Sequence, residues 1–170
     1  MLPEERARIK IDEQLTDAGW EVVHRFEYNR KNPSAVTEAS MRGRKESDYL
    51  LFIDNKAIAV VEAKRAESNL DEIVASQAED YTVNPQDWYG FWLEENKVPL
   101  VYLANGEKIL FKNMLDADSD YEQIDKMHSP KEMLRMIGRH SELPRVIISL
   151  LCFSLSSWSN SSSESSSQSL

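Results

Sequence analysis

The sequence contains little cysteine and no long apolar run, and both shortages limit the classes of protein it can belong to. Cys152 is the single cysteine among 170 residues. This excludes an internal disulfide framework and a cysteine-rich zinc site, and it favours a reducing compartment such as the cytoplasm. The longest apolar run, 146–155, is about half as long as a membrane-spanning helix, and the N-terminus lacks the apolar core of a signal peptide. We therefore expect a cytoplasmic protein with no membrane partner.

The sequence also lacks the glycine-rich phosphate-binding motifs GxxxxGK[ST] and GxGxxG, so we expect this chain to bind neither ATP nor a dinucleotide. Its length suits one ordinary domain, and a hydrophobic share of 41% is enough for a folded core. From Ser154 onward, a serine-rich tract cannot bury enough apolar surface to offset its ordering entropy. We predict a folded domain over 1–145 and a disordered tail over 146–170.

The charge is acidic overall and basic in one stretch. The chain has 20 Lys+Arg against 29 Asp+Glu, a formal net charge of -9, which argues against binding nucleic acid through bulk electrostatics alone. Basic residues nevertheless outnumber acidic ones between Val22 and Glu46. If DNA binds, we expect contacts here, from Arg42, Arg44 and Lys45.

Hydrophobic periodicity and turn signals predict an α/β protein. Helices are predicted over 4–18, before Gly19, over 131–137, after a capping box, and from a cap at Ser68 or Asn69 to before Pro85. Strands are predicted over 20–26, 48–54, 57–64, 98–104 and 108–112, the last two flanking Asn105-Gly106. The polar stretch 29–47 is predicted to be a long mobile loop. The predicted order is α-β-β-β-α-β-β-α.

The two strands 48–54 and 57–64 form a predicted hairpin with charged residues at its open end. Asp48 begins one strand, and Glu62 and Lys64 end the other on the same face as Ile58 and Val60. A three-residue loop, 54–56, would place Asp48 directly opposite Glu62. A two-residue loop would shift the register by one residue and turn them to opposite faces.

Two facing carboxylates repel each other, and a divalent cation between them removes the repulsion. Because the ligands are oxygen atoms, Mg²⁺ or Mn²⁺ suits the pair better than zinc. Lys64 would then orient a water molecule and stabilise charge at phosphorus, which predicts metal-assisted phosphodiester hydrolysis. Taken singly, such residues are more often a solvated face or a salt bridge. Glu62 and Lys64, however, end the most apolar run of the chain, where unpaired charge is rare.

Four further residues have two interpretations each. Glu4 lies on the apolar stripe of the first helix, either as a charge stabilising the helix terminus or as a site residue. Gln77 and Tyr81 share the inner face of the second helix, either as packing at the core edge or as site residues. Arg8 lies at the margin of the first stripe, either in a plain surface or salt-bridge role, which the sequence favours, or as a residue that supports the site or contacts DNA.

The hairpin D…ExK motif after an acidic first helix resembles the PD-(D/E)xK nuclease superfamily, and Gln77-x-x-x-Tyr81 is similar to the QxxxY motif of its RecB-like branch. From about Pro3 to Leu134 the chain resembles the N-terminal endonuclease domain of the restriction (R, HsdR) subunit of type I restriction-modification enzymes. The segments that carry this resemblance include Ala18-Gly19-Trp20, Asp48-Tyr49-Leu50-Leu51, Val61-Glu62-Ala63-Lys64, Asn105-Gly106 and Ser129-Pro130.

The resemblance implies a restriction-endonuclease-like core, a mixed central sheet flanked by helices. It implies that Asp48, Glu62 and the Ala63 carbonyl hold Mg²⁺, that Lys64 is catalytic, and that Glu4 completes the acidic site. Gln77 and Tyr81 would support the site or contact DNA. The implied partners are duplex DNA and the methyltransferase (M) and specificity (S) subunits, and the implied ATP-driven translocase belongs to the full-length subunit.

The sequence departs from this family after about Arg145, where translocase motifs should begin and none is found. A truncated or frame-shifted product, or a tail that is not native, would explain the departure. Three alternatives to an active restriction endonuclease domain remain open: a non-catalytic docking or DNA-positioning module, a truncated inactive product, and a standalone nuclease.

Overall fold

The computed structural model describes residues 3–30, 32–65, 70, 72–86, 88–93 and 98–140. The boundary at 145, the serine-rich tail over 146–170 and the cap of the second helix at Ser68 or Asn69 lie outside the described residues. None of the described helices is long and apolar enough to cross a membrane.

The described elements alternate between helices and short strands. The helices are α1 (Pro3–Asp17), α2 (Glu72–Val83) and α3 (Pro130–His140), with a 3-10 helix at Arg42–Arg44. The strands are β1 (Glu21–His24), β2 (Ser34–Ser40), β3 (Glu46–Ile53), β4 (Lys56–Ala63), β5 (Gly90–Phe91), β6 (Leu100–Ala104), β7 (Ile109–Asn113) and β8 (Glu122–Ile124).

These strands form one mixed sheet with the order β1-β2-β3-β4-β6-β7-β8, and β5 also pairs with β4. The β1/β2, β4/β5 and β4/β6 pairs are parallel, and the others are antiparallel. Helices α1 and α3 bury Ile11, Leu15 and Met133 against one face. Helix α2 buries Ala78 and Tyr81 against the other. The predicted α/β class with a mixed central sheet is therefore confirmed.

The predicted order of elements is wrong, because the described part of the chain runs α-β-β-β-β-α-β-β-β-β-α. Strand β2 forms within the stretch predicted to be a loop. It lies between β1 and β3, where Ala35 and Ala39 are fully buried, and alanines among serines and a glutamate give a weak apolar pattern. Strands β5 and β8 are too short to show any periodicity.

The ends of α1 and α3 agree with the sequence signals. Gly19 follows α1 with φ +93°, a conformation that glycine adopts without steric cost. At α3, Ser129 and Glu132 form the predicted capping box: the Ser129 backbone N–H donates to the Glu132 carboxylate at 2.8 Å, and the Glu132 N–H donates to the Ser129 hydroxyl at 3.4 Å. Hydrogen bonding to Ser129 lowers the pKa of the Glu132 carboxyl.

The β3–β4 hairpin turns through two residues, the shorter of the two loop lengths that the sequence left open. Asp54 and Asn55 have φ of 49° and 63°, and Ile53 pairs with Lys56 on either side of them. Two positive φ values are what a two-residue turn needs to match the twist of its strands. Such a turn, continued without interruption, would send Asp48 and Glu62 to opposite faces.

A β-bulge at Ile58 returns Asp48 and Glu62 to the same face of the sheet. The register shifts at the bulge, so that Leu51 pairs with Ala59 and Tyr49 pairs with Val61, as a three-residue loop would have arranged. Ile58 consequently packs in the same cluster as Val61 rather than with Val60, so the predicted shared face of Ile58 and Val60 is wrong. A bulge adds one residue to one strand and thereby changes the face on which every later side chain lies.

Candidate active site

Asp48 and Glu62 lie next to each other at the open end of the hairpin, one position beyond the last β3–β4 pair, Tyr49 with Val61. Glu62 is only 4% exposed, and the side chain of Asp48 is 16% exposed. Alternation along the strands puts both on the sheet face that α2 covers, with Leu50 and Val60. The fold therefore places two carboxylates side by side where both are largely shielded from solvent.

The surroundings of Glu62 disfavour the charged form of its carboxyl group. Burial raises the pKa of the Glu62 carboxyl above its ordinary range, and the negative charge of Asp48 raises it further. Lys64 opposes this shift, because its Nζ lies 2.8 Å from Glu62 Oε1. The Lys64 backbone N–H donates to the Ala104 carbonyl at 2.8 Å, so β6 fixes the chain where it leaves β4.

Asp48 has a partner for each of its two oxygens. The Ala63 backbone N–H donates to Oδ2 at 2.8 Å, and the Arg8 guanidinium donates to Oδ1. The salt-bridge interpretation of Arg8 thus agrees with the structure, and its partner is a site carboxylate. Arg8 reaches across from α1 to the start of β3, so two elements far apart in sequence meet at this carboxylate.

Tyr49 and Asp12 are two residues that sequence reasoning missed. The Tyr49 hydroxyl donates to Asp12 Oδ1 at 2.7 Å, and burial with the nearby Asp12 charge raises the pKa of the Tyr49 phenol well above its usual value. This bond ties α1 to β3 one turn of helix away from Arg8. The i, i+4 spacing of Arg8 and Asp12 on α1 is the signal that could have indicated them.

The donor set suits a hard divalent cation. The described residues contain no group of three or more His, Cys, Asp and Glu side chains able to hold a metal ion. Asp48 and Glu62 offer two carboxylates, and the predicted third ligand, the Ala63 carbonyl, belongs to the residue that follows Glu62 in β4. Oxygen ligands of this kind fit Mg²⁺ or Mn²⁺, which keep several waters in their coordination shell.

Glu4 lies at the start of α1 in an ion pair with Arg65, whose Nε is 3.7 Å from Glu4 Oε1, and the Glu4 side chain is 62% exposed. The structure therefore places Glu4 beside the residue that follows Lys64, and not in a cluster of ligands with Asp48 and Glu62. Its predicted role in completing the acidic site is not supported by any described contact.

Gln77 and Tyr81 contact each other on α2. Gln77 Nε2 donates to the Tyr81 hydroxyl at 3.1 Å, and Tyr81 is buried against Leu50 and Val60. The pair consequently lies over the sheet face that carries Asp48 and Glu62. Among the described contacts, neither residue touches a site carboxylate or Lys64.

The basic residues Arg42, Arg44 and Lys45 lie in and after the 3-10 helix, close to the C-terminal end of α2. All three are exposed. The Arg42 backbone N–H donates to the Asn84 carbonyl at 2.9 Å, and Lys45 Nζ lies 2.8 Å from Asp80 Oδ2. This segment is outward-facing and is anchored to α2, which places its positive charge on the α2 side of the sheet.

Comparisons with known proteins agree with the resemblance in the motifs. The model of the family described as "Type I restriction enzyme EcoKI endonuclease subunit second domain" matches residues 24–136. The type I restriction enzyme EcoKI endonuclease subunit of Escherichia coli (strain K12) is 26% identical, over 81% of this chain and 16% of that protein. The chain thus spans only about a sixth of that relative's length.

A solved structure is also similar, a fragment of a putative HsdR subunit of a type I restriction enzyme from Vibrio vulnificus YJ016. It superposes with a TM-score of 0.56 at 21% identity, over 82% of this chain and 26% of that chain. At this identity the similarity supports the fold alone, a mixed α/β architecture. The resemblance to the restriction-subunit endonuclease domain is confirmed by the family match, and the chain belongs to the family of the endonuclease subunit of type I restriction enzymes.

Proposed function

We propose that this chain is the DNA endonuclease domain of a type I restriction enzyme R subunit and hydrolyses phosphodiester bonds of duplex DNA with Mg²⁺ or Mn²⁺. The observation that carries the proposal is the arrangement of Asp48, Glu62 and Lys64 at one end of the β3–β4 hairpin. The raised pKa of Glu62 beside Asp48 supports it, since a buried carboxylate pair gains most from a bound cation.

Asp48, Glu62 and the Ala63 carbonyl would hold the cation. When bound, a divalent ion supplies positive charge that acidifies a water molecule and neutralises the phosphate. Lys64 has three N–H donors, and one of them points to Glu62 at 2.8 Å. The other two remain for a water molecule and a phosphate oxygen, so Lys64 orients the nucleophile and stabilises the developing negative charge.

The larger assembly is part of the same proposal. We propose that the full-length subunit works with methyltransferase and specificity subunits, that sequence choice belongs to the latter, and that ATP is used outside this chain. Under this proposal the isolated chain cuts DNA slowly and without sequence preference.

The test is nicking of supercoiled plasmid by the full chain with Mg²⁺ or Mn²⁺. Lys64→Ala and Asp48→Ala should each reduce the nicking rate by about 100-fold or more, the usual cost of removing a group that stabilises charge in the transition state. Lys131→Ala, an exposed lysine on α3, is the matched control and should nick like the wild type. Equal nicking by all four proteins would contradict the assigned roles.

One observation favours a second candidate, a non-catalytic docking or DNA-positioning module. Both oxygens of Asp48 are already bonded, to Arg8 and to the Ala63 N–H, so this carboxylate has partners other than a metal ion. The two candidates differ in metal binding, because a ligand that binds only the folded state raises its melting temperature. If Mg²⁺ and Mn²⁺ leave the melting temperature of the wild type unchanged, the docking module is the better assignment.

A further inference from the structure

An open cavity of about 530 Å³ lies beside β2, next to the turn of the β3–β4 hairpin. Its walls come from the β1–β2 connection, the Asp54-Asn55 turn, the segment 88–90, and Val36 and Ser40 of β2. Ser40 pairs with Glu46 at the start of β3, so the cavity reaches from the turn toward the other end of the hairpin. The residues of the acidic pair are not among the described residues that line it.

Aromatic side chains form the floor and rim of this cavity. On the floor, Phe52 contacts Tyr28 and Tyr89, with ring centroids 4.9 and 5.2 Å apart. On the rim, Phe26 is 83% exposed and Trp88 is 68% exposed. Both rim residues are among the few large apolar side chains that the described residues expose. Exposed rings beside a cavity offer a stacking surface for a flat aromatic ligand.

The described residues that line the cavity are more basic than acidic, although the chain as a whole is acidic. They include Arg25, Arg30 and Lys56 and one acid, Asp54. Arg25 is occupied by an ion pair with Glu46. Among the described residues, no carboxylate pairs with Arg30 or Lys56, and Lys56 Nζ instead lies 4.7 Å from the centre of the Trp92 ring. Two cations are thus available to an anionic ligand next to the aromatic rim.

We propose that this pocket binds an unpaired nucleotide of single-stranded DNA, with its base stacked on Trp88 and Phe26 and its phosphate held by Arg30 and Lys56. Aromatic rings interleaved with cations are the chemistry by which proteins hold single strands, since every base has a face that can stack. The bases of a duplex are already stacked on one another and cannot reach the rim. The choice of DNA over RNA rests on the proposed function, but the pocket itself does not depend on the acidic pair.

The cavity has the size for this ligand, because pockets for small molecules span roughly 300–1,000 Å³. It lies on the sheet face that carries Val36 and Phe52, which is the face of Asp48 and Glu62. A strand held in the pocket would consequently lie on the same side of the sheet as the acidic pair. The pocket then selects DNA that is opened near the site.

The test measures binding of end-labelled oligothymidylate of about 16 nucleotides to the full 170-residue chain in EDTA. Fluorescence anisotropy of the label gives the affinity, and quenching of tryptophan fluorescence is recorded beside it. Trp88→Ala should weaken binding by about fivefold or more, and Trp88→Phe should retain it while losing most of the quenching. Arg30→Ala with Lys56→Ala should lower the slope of log affinity against log salt by about 0.7 for each phosphate that the protein no longer neutralises. Val83→Ala and Arg135→Ala, exposed residues outside the pocket, are the controls and should bind like the wild type.

Unchanged binding by Trp88→Ala would overturn the proposal, as would a duplex of the same length that binds as tightly as the single strand. Equally tight binding of free thymidine monophosphate would also overturn it, since the ligand would then be a free nucleotide. The two proposals fail separately. Oligothymidylate binding in EDTA decides the pocket, and plasmid nicking with Mg²⁺ or Mn²⁺ decides the nuclease assignment, so either result can be negative while the other is positive.

Discussion

The two ends of the β3–β4 hairpin carry charged side chains in opposite environments. At the open end, Glu62 is 4% exposed and its pKa is raised by burial and by Asp48. At the turn end, Asp54 and Lys56 are exposed beside aromatic rings. The same two strands therefore present coupled, desolvated charges suited to chemistry at one end and solvated charges suited to binding at the other.

The largest expected difference between the ends is in catalysis. Glu62→Gln keeps the shape of the side chain and removes its charge, so we expect plasmid nicking to fall by about 100-fold or more. Asp54→Asn makes the matching change at the turn end and should nick at the wild-type rate. Both rates are measured on supercoiled plasmid in Mn²⁺. A similar loss in the two variants would remove the functional distinction between the ends.

A smaller difference is expected in stability, between one hydroxyl beside the acidic pair and one in the wall of the pocket. Tyr49 donates to the Asp12 carboxylate at 2.7 Å, and Tyr89 donates to the Ser40 carbonyl at 3.1 Å. Because hydrogen bonds to charged groups contribute more, Tyr49→Phe should lower the free energy of unfolding by about 2 kcal/mol and Tyr89→Phe by about 1 kcal/mol. Urea denaturation of both variants measures the difference, and equal losses would contradict it.

The dependence of stability on pH should be sensitive to the open end. The pKa of Glu62 is higher in the folded state than in the unfolded chain, so folding binds its proton more tightly. Glu62 therefore stabilises the fold below the unfolded pKa of about 4.3, and this contribution is lost as pH rises through the higher folded value. In Glu62→Gln, the free energy of unfolding should fall less steeply than in the wild type as pH rises above the unfolded pKa. If the free energies of unfolding of wild type and variant differ by the same amount at every pH, the prediction is contradicted.

The smallest expected effect is at the turn. Asn55 has φ of 63°, where glycine has no steric penalty, and Asp-Gly is a favoured two-residue turn. Asn55→Gly should therefore raise the free energy of unfolding by about 0.5 kcal/mol, as measured by thermal or urea unfolding. Its plasmid nicking and its oligothymidylate binding should stay at wild-type levels, since the turn changes neither the acidic pair nor the aromatic rim.

The hairpin shows how far sequence reasoning extends. Alternation along β4 correctly predicted that Val60 and Glu62 share one face. The apolar runs predicted the ends of both strands to within two residues. The loop length and the bulge were not predictable, because each adds or removes one residue without changing the apolar pattern. The loop is one residue shorter than a three-residue loop, and the bulge adds one residue to β4. The two differences cancel in the register, so Asp48 and Glu62 lie next to each other.

Strand β2 and the Arg8 contact show what sequence reasoning missed. Ala35 and Ala39 are buried in β2, but their small side chains carry little hydrophobic signal. Arg8 bonds to Asp48 across 40 positions of sequence, and no local pattern predicts a partner so distant. The capping box at Ser129 and Glu132 was predictable because all of its contacts are made within one turn of helix.

The sequence by itself determined the residues that can act as ligands, the helix ends and the apolar faces, because these depend on neighbours only a few positions away. The tertiary structure alone decided that the acidic pair shares a face, that Arg8 and Tyr49 tie α1 to β3, and that an aromatic pocket forms at the turn. Those features depend on strand register and on contacts between distant segments. Packing of the whole sheet fixes both, since a one-residue slip would turn the buried side chains toward water.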